Sequence, residues 1–298
     1  MKVEYTVLDP TGNITILVTS SVEISLQPSV ASKLMELVPE AEQVGFLSEA
    51  EGCDIALRMA GGEFCGNASM CAATYYVNKQ GFEKCPVILR VSGADGTVAA
   101  EIERLHEGKW RGTVNMPRPQ KLEFIDLPGT GELPVVQFDG ISHVIYEVSE
   151  SERTGGNTNV DPYGYNDSYA PDTAKSSAVQ CSTSDELPIS RDTAKALACD
   201  WCRYLGVDAL GIMFLNTEAS SMTPLVYVPA AGTLFWENSC ASGTTAYGAY
   251  VAAKTGGPVS MSLRQPGGSL EIRVSEDGAF VLSGMVRITH SGSADITV

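Results

Sequence analysis

Two short stretches of this chain build the same cysteine setting. Gly61 to Ala72 reads GGEFCGNASMCA, and Trp236 to Tyr247 reads WENSCASGTTAY. Each places an acidic residue shortly before a cysteine and small residues just after it. Laying Cys65 on Cys240 extends the match. Cys65 precedes Gly81 by 16 residues, and Cys240 precedes Gly256 by 16. Tyr75 falls on Tyr250, and Lys79 and Lys254 each stand two residues before that glycine. Leu89 and Arg90 lie 24 and 25 residues past the first cysteine, and Leu263 and Arg264 lie 23 and 24 past the second. Gly112, Thr113 and Val114 have a counterpart in Gly284, Met285 and Val286. The shared order is strand, cysteine turn, helix, then strands joined by turns. A divergent internal repeat of this kind calls for two similar units with equivalent residues in equivalent places. A purely structural duplication is the plain alternative.

The pattern along the chain agrees. Strands are expected at Lys2–Leu8, Ile14–Val18, Asp54–Met59, Val87–Val91, Thr97–Ile102 and Gly112–Met116. Further strands are expected near Val135–Phe138 and His143–Val148, then at Gly211–Leu215, Pro224–Val228, Val259–Leu263, Ser269–Val274, Phe280–Leu282 and Met285–Ile288. Helices are expected at Ser29–Val38, Ala68–Asn78, Ser190–Tyr204 and Thr244–Ala253, with lysine and glycine closing the second and fourth. Pro117 and Pro119 mark the boundary between the halves. Residues 1–117 form the first lobe, completed by the last strand at about 285–298, and 118–284 form the second. Gly155 to Leu187 is rich in Ser, Asn, Asp and Tyr and reads as a polar loop.

Composition narrows the partners. The 298 residues carry a formal net charge of −16, which disfavours nucleic acid and anionic membrane surfaces. No run of 18 apolar residues offers a membrane span, and MKVEYTVLD reads as a strand and not a signal peptide. Eight cysteines in a chain of this length fit reduced thiols in a cytoplasm better than a disulfide framework. Cys199 and Cys202 form a C-x-x-C pattern inside a helix without a second pair, so core thiols fit better than a metal site. Cys53, Cys71, Cys85 and Cys181 read as structural.

If the two halves face each other, Cys65 and Cys240 meet across the cleft. Each stands just before a helix, whose first backbone N–H groups lack intrahelical partners and point at an anion. These groups can hold a substrate carboxylate, and they favour a thiolate. Two opposed proton carriers flanking one carbon are what a racemase needs. One thiolate removes the α-proton, the other thiol delivers a proton to the opposite face, and the helix ends stabilise the carbanion. No glycine-rich nucleotide loop or lysine-centred cofactor motif stands out, so no cofactor and no metal are expected. Apposed thiols are also a candidate redox pair.

Cys65, Gly66 and Asn67, with Cys240 followed by small residues, resemble the diaminopimelate epimerase family of cofactor-independent racemases. The resemblance implies an α/β (α+β) fold of two pseudo-symmetric lobes, each a mixed sheet around a central helix. Asp9 to Asn13, DPTGN, is similar to the family's N-terminal loop, whose asparagine contacts substrate. Glu42 to Phe46, EQVGF, is similar to the next motif, in which a polar residue reaches the pocket, with Glu42 and Gln43 the candidates. Gln265 to Gly268 is similar to the late glycine turn. Gly140 to His143 matches the mid-chain loop only in part, and no contact is carried over from it. The arginine that grips a distal amino-carboxylate is absent: Val228 to Thr233 reads VPAAGT, and Leu57, Arg58 and Met59 replace an expected asparagine. Phe64 to Asn67 and Leu234 to Cys240 are most similar to the histidine racemases of opine-metallophore biosynthesis.

The resulting expectation is an amino-acid racemase that works without pyridoxal phosphate and interconverts L- and D-histidine. Cys65 and Cys240 are the catalytic pair. Asn13, Glu42, Gln43, Gly66, Asn67, Glu237, Ala241 and Ser242 are the substrate-binding candidates, with Glu237 on the substrate ammonium. The partner is a small-molecule amino acid, and a homodimer is compatible with the sequence. Racemisation of another amino acid, double-bond isomerisation on the same fold, and amino-acid binding without catalysis are the alternatives.

Overall fold

In the computed structural model, residues 1–106, 108–148 and 189–297 are described. The polar stretch 155–187 and Cys181 lie outside the described residues.

A helix with small side chains on every face organises the first lobe. Helix α2 (Gly66–Gln80) buries every residue from Gly66 to Thr74, and Val77 as well. A helix buried all round needs walls on all sides. Eight strands supply them: β1 (Lys2–Pro10), β2 (Thr15–Val18), β3 (Gln43–Ser48), β4 (Ile55–Met59), β5 (Lys84–Val91), β6 (Val98–His106), β7 (Lys109–Met116) and β16 (Phe280–Asp295). They pair in that order, and β16 returns to pair with β1, which closes the ring. Inward residues such as Leu8, Leu17, Leu57, Leu89, Ile102 and Val114 pack on Met70, Cys71 and Ala72 of the helix. The outer face of β1–β3 is covered by α1 (Gln27–Leu37), whose Val30, Ala31 and Leu34 pack on Val3, Val7, Ile16 and Val44.

The second lobe continues from β16 through β15 (Gly268–Val274), β14 (Val259–Gln265), β12 (Ser221–Val228), β11 (Leu210–Asn216), β10 (Ile141–Glu147), β9 (Gly131–Phe138) and β8 (Lys121–Leu127). Strand β13 (Thr233–Trp236) pairs with β12. Because β11 lies between two helices, it is apolar on both faces. Ile212 and Phe214 face α3 (Arg191–Leu205), through Leu197, Ala198 and Trp201. Met213 and Leu215 face α4 (Ala241–Thr255), through Ala246 and Ala249. Successive side chains on opposite faces produce this division.

The expected two-lobe α/β class is what the chain adopts. Several boundaries differ from the sequence reading. Both cysteine helices begin at once after the cysteine, two or three residues earlier than expected, because the thiol itself caps them. Helix α1 begins at Gln27, with Pro28 in its first turn, where a missing N–H costs nothing. The strands expected at Phe280–Leu282 and Met285–Ile288 are one strand. Gly284 does not break it; it pairs with Gly112. A Cβ on Gly112 would lie 3.1 Å from the Met70 side chain and one on Gly284 2.7 Å from Leu270, so both glycines serve close packing. Strands β3, β8 and β13 were not anticipated. Cys202 is buried, and its thiol donates to Val207 O at 3.2 Å, as a core thiol should.

The lobes meet backbone to backbone. A Cβ on Gly267 would stand 2.4 Å from Thr11 O and 2.6 Å from Gly12 Cα, so neither neighbour can yield as a side-chain tip would. Gly267→Ala is therefore expected to lower stability by about 1–3 kcal/mol, the usual cost of overpacking. Urea unfolding checks this, with Gly257→Ala, which meets nothing within 4 Å, as the comparison. Equal midpoints for the two variants would refute the tight approach.

Candidate active site

The duplicated cysteines are duplicated N-caps. Cys65 has φ −133° and ψ 116°, and Cys240 has φ −123° and ψ 110°. Each thiol sulfur accepts the N–H three residues on, from Ala68 and from Gly243, both at 3.4 Å. Ser69 and Thr244, at the same repeat position, return a hydroxyl to the cysteine carbonyl at 2.7 Å. Each helix runs 15 residues and ends on a left-handed glycine, Gly81 or Gly256.

The two helix starts are packed together. A Cβ on Gly66 would lie 3.0 Å from Ala241 Cβ, so the first residues of α2 and α4 touch. Asn67 reaches across the junction, and its amide donates to Ser239 O at 3.2 Å. The Glu237 carboxylate acts on both thiols: it bonds to the Cys240 side chain and its charge raises the pKa of Cys65. Ser242 Oγ lies 3.5 Å from Cys240 Sγ.

On the first-lobe side, Asn13, Glu42, Gln43 and Cys65 form one hydrogen-bonded row. Asn13 Nδ2 donates to Glu42 Oε2 at 2.5 Å, and Gln43 Nε2 donates to Asn13 Oδ1 at 2.5 Å. Cys65 donates its thiol proton to Gln43 Oε1 at 3.0 Å. The other Glu42 oxygen accepts from Asn238 Nδ2 at 2.8 Å. All ten sequence-expected residues thus gather around the two helix starts. Glu63, the acidic residue of the first cysteine turn, does not mirror Glu237: it is exposed and reaches Cys65 only through its charge. His143 is buried edge-on to Phe138, and burial holds its pKa down at about 3.

Three contributors escaped the sequence reading. Asn238 crosses between lobes to Glu42. Thr15 accepts from Gln43 Nε2 at 2.8 Å. Gln265 accepts the Cys240 N–H at 2.8 Å and donates to Thr244 Oγ1 at 2.8 Å, which pins the cap from behind. Asn238 lies inside the WENSC stretch, between two residues already singled out, and that adjacency was the available signal.

The site is acidic. Glu42 and Glu237 are each half-buried, with protein around most of the carboxyl. Burial, foremost, raises Glu42 to about 7 and Glu237 to about 8, the latter with help from the Glu42 charge. Burial likewise pushes Cys65 up to about 12 and Cys240 well above the ordinary thiol value. A carboxyl whose folded pKa is raised stays protonated in the fold while the unfolded chain ionises. Its stabilising contribution is complete below the unfolded value of 4.5 and is lost as pH rises towards the folded value of about 8. Wild type should therefore lose about 1–2 kcal/mol relative to Glu237→Gln between pH 5 and pH 9. Urea unfolding at both pH values measures this, and parallel pH dependence in the two proteins would contradict a raised Glu237.

Comparison with known proteins adds the following. The family model described as histidine racemase CntK N-terminal domain matches residues 2–161 and 177–294. A histidine racemase of Fusobacterium nucleatum subsp. nucleatum is 29% identical over 297 residues, 97% of this chain and 95% of that protein. A histidine racemase of Staphylococcus aureus is 26% identical over 273 residues, 90% of this chain and 87% of that protein. Among solved structures, a predicted epimerase from Pseudomonas aeruginosa superposes with a TM-score of 0.67 at 14% identity, covering 99% of each chain. A hydroxyproline epimerase from Agrobacterium vitis, with bound trans-4-hydroxy-L-proline, has a TM-score of 0.65 at 14% identity, covering 98% of this chain and 92% of that one. At such identities the superpositions speak for the fold alone.

Proposed function

We propose a function from one premise: the chain belongs to the family whose model is described as histidine racemase CntK N-terminal domain. Its fold is that of the diaminopimelate epimerase and PhzF proteins, and it is a cofactor-independent isomerase of the racemase and epimerase class. Within that class, our reading is a two-thiol amino-acid racemase acting on histidine. The lobes divide as 1–117 with about 285–298, and 118–284.

The observation that carries this reading is the pair of cysteine N-caps on touching helix starts. The first N–H groups of α2 and α4, at Gly66 and Asn67 and at Ala241 and Ser242, belong to touching helix starts and suit a substrate carboxylate. The α-carbon then lies between the two sulfurs. A thiolate on one side takes the α-proton; the other thiol returns a proton from the opposite side. The electron pair left on carbon spreads into the carboxylate, where the helix-end N–H groups stabilise it. Reversal of the roles serves the other enantiomer.

Glu237 receives the substrate ammonium. That pairing has a further effect. Burial first, and then the Glu237 charge when that carboxyl is ionised, hold both thiols protonated. An ammonium beside it cancels part of that field, so substrate binding lowers the cost of forming the thiolate. Glu42, held at both oxygens by Asn13 and Asn238, faces the side chain of the substrate and accepts an imidazole N–H. Where a distal amino-carboxylate would need an arginine, Pro229 to Ala231 forms a short turn followed by left-handed Gly232. A second amino-carboxylate would be left without its fork-like partner.

Cys65→Ser and Cys240→Ser should each lower histidine racemisation by at least about 1000-fold, because a serine hydroxyl is a weak base at its own pKa. Each single variant should still eliminate halide from one enantiomer of a β-halo amino acid, which needs one base only. Polarimetry and halide release read the two outcomes, and near-normal racemisation by either variant would sink the two-thiol mechanism. The substrate is tested separately, by α-proton washout in deuterated water across a panel of L-amino acids, D-histidine and diaminopimelate. Histidine should turn over fastest. Faster turnover of diaminopimelate would overturn the absence of a distal clamp, whereas faster turnover of another monoamino acid would remove only the histidine assignment.

A further inference from the structure

A racemase with two thiols has two resting forms, which differ in which sulfur holds the proton. The surroundings of Cys65 and Cys240 are matched at the helix caps but not beyond them. Cys65 meets the carbonyl end of a side-chain amide, at Gln43 Oε1. Cys240 has in its place the Glu237 carboxyl and the Ser242 hydroxyl.

The orientation of the Gln43 amide is set twice. When ionised, Glu42 only accepts, so Asn13 turns its NH2 to Glu42 and its oxygen to Gln43. Gln43 must then present its NH2 to Asn13. Thr15 gives its hydroxyl proton to Asn13 O at 3.0 Å, so it too accepts from Gln43 Nε2. Both anchors leave the Gln43 carbonyl facing the sulfur. A reversed amide would donate to the sulfur and favour the thiolate, but it would set its own oxygen against Asn13 Oδ1 and Thr15 Oγ1. An acceptor beside a thiol stabilises S–H and opposes S⁻.

We propose that Gln43 stabilises the S–H form of Cys65 by accepting its hydrogen bond, so that Gln43 acts on the reaction through that sulfur and not as a contact to the substrate side chain. This rests on the two-thiol reading. When Cys240 is the base, it takes the α-proton as the C–H bond breaks, and Cys65 gives its S–H proton to the opposite face and becomes the thiolate. Turnover of the other enantiomer, or proton exchange with solvent, restores the starting form. Other groups facing Cys65 are the Glu63 and Glu237 carboxylates, the Cys71 thiol and the Ala68 N–H, and none of them is altered by changing Gln43.

The test is the pH midpoint of iodoacetamide alkylation, followed at each cysteine by peptide mass spectrometry in the full chain. Cys65 is read in a Cys240→Ser background and Cys240 in a Cys65→Ser background. Gln43→Ala should move the Cys65 midpoint down by about one pH unit, the worth of one hydrogen bond to the thiol form. Gln43→Glu should move it up, since a carboxylate accepts the same bond and adds charge. The Cys240 midpoint should stay within about 0.3 unit in both variants, a shift smaller than the loss of any one hydrogen bond. A Cys65 midpoint that is unmoved or raised in Gln43→Ala overturns the proposal, as do equal shifts at both thiols. Circular dichroism identifies a misfolded variant, and the remaining one of opposite sign then decides. Wild type that racemises no amino acid would end the functional reading while the midpoints still report on Gln43.

Discussion

The structure depends on a helix narrow enough to be encircled. Small or slender side chains from Gly66 to Thr74 let eight strands close around α2, and the glycine pair Gly112–Gly284 shows how little room is left at Met70. Encirclement leaves a helix in the ring two exits. The polar N–H groups of its first turn must come out where something can meet them. In this chain they come out against the matching end of α4. The candidate site is therefore a consequence of where the two helices are allowed to begin, and in the proposed mechanism the cysteine that caps each helix is also its proton carrier.

A protein with formal net charge −16 gathers two of its carboxyls at this site, Glu42 and Glu237, and burial raises both. The site can thus change its charge near neutrality. Amides do the complementary work. Asn13 and Asn238 satisfy the Glu42 oxygens from opposite lobes, so the orientation of this acid reports on whether the lobes are together.

The cysteine helices were legible because the signals that make them are local: a capping side chain, small residues, lysine and glycine at the end. The ordering of the sixteen strands among the described residues was less so. Strand β3 is six residues long and carries Gly45 where Leu57 and Leu17 crowd in, so it lacks the plain alternation of a longer strand. Within the site, the residues that touch a cysteine in the chain were found, while Asn238, Thr15 and Gln265 were assigned no partner. Asn238 meets a carboxylate 196 residues away, and Asn67 a carbonyl 172 away. Separations this long leave no mark of the partner in the adjacent sequence, even where a neighbouring cysteine draws attention to the residue.

Strand β16 has a bearing on how the chain acquires its structure. It is the stave that shuts the first ring, with Val7 paired to His290 on one side and Trp110 to Val286 on the other. During synthesis β1 to β7 and α2 leave the ribosome early, but the seam between β1 and β7 stays open while the whole second lobe is made. Until β16 arrives, two strand edges and the buried face of α2 lack their cover. The first lobe is thus the earlier to be written and the later to be finished, and the nascent chain has to keep an unclosed barrel from pairing with a neighbour's in the interval.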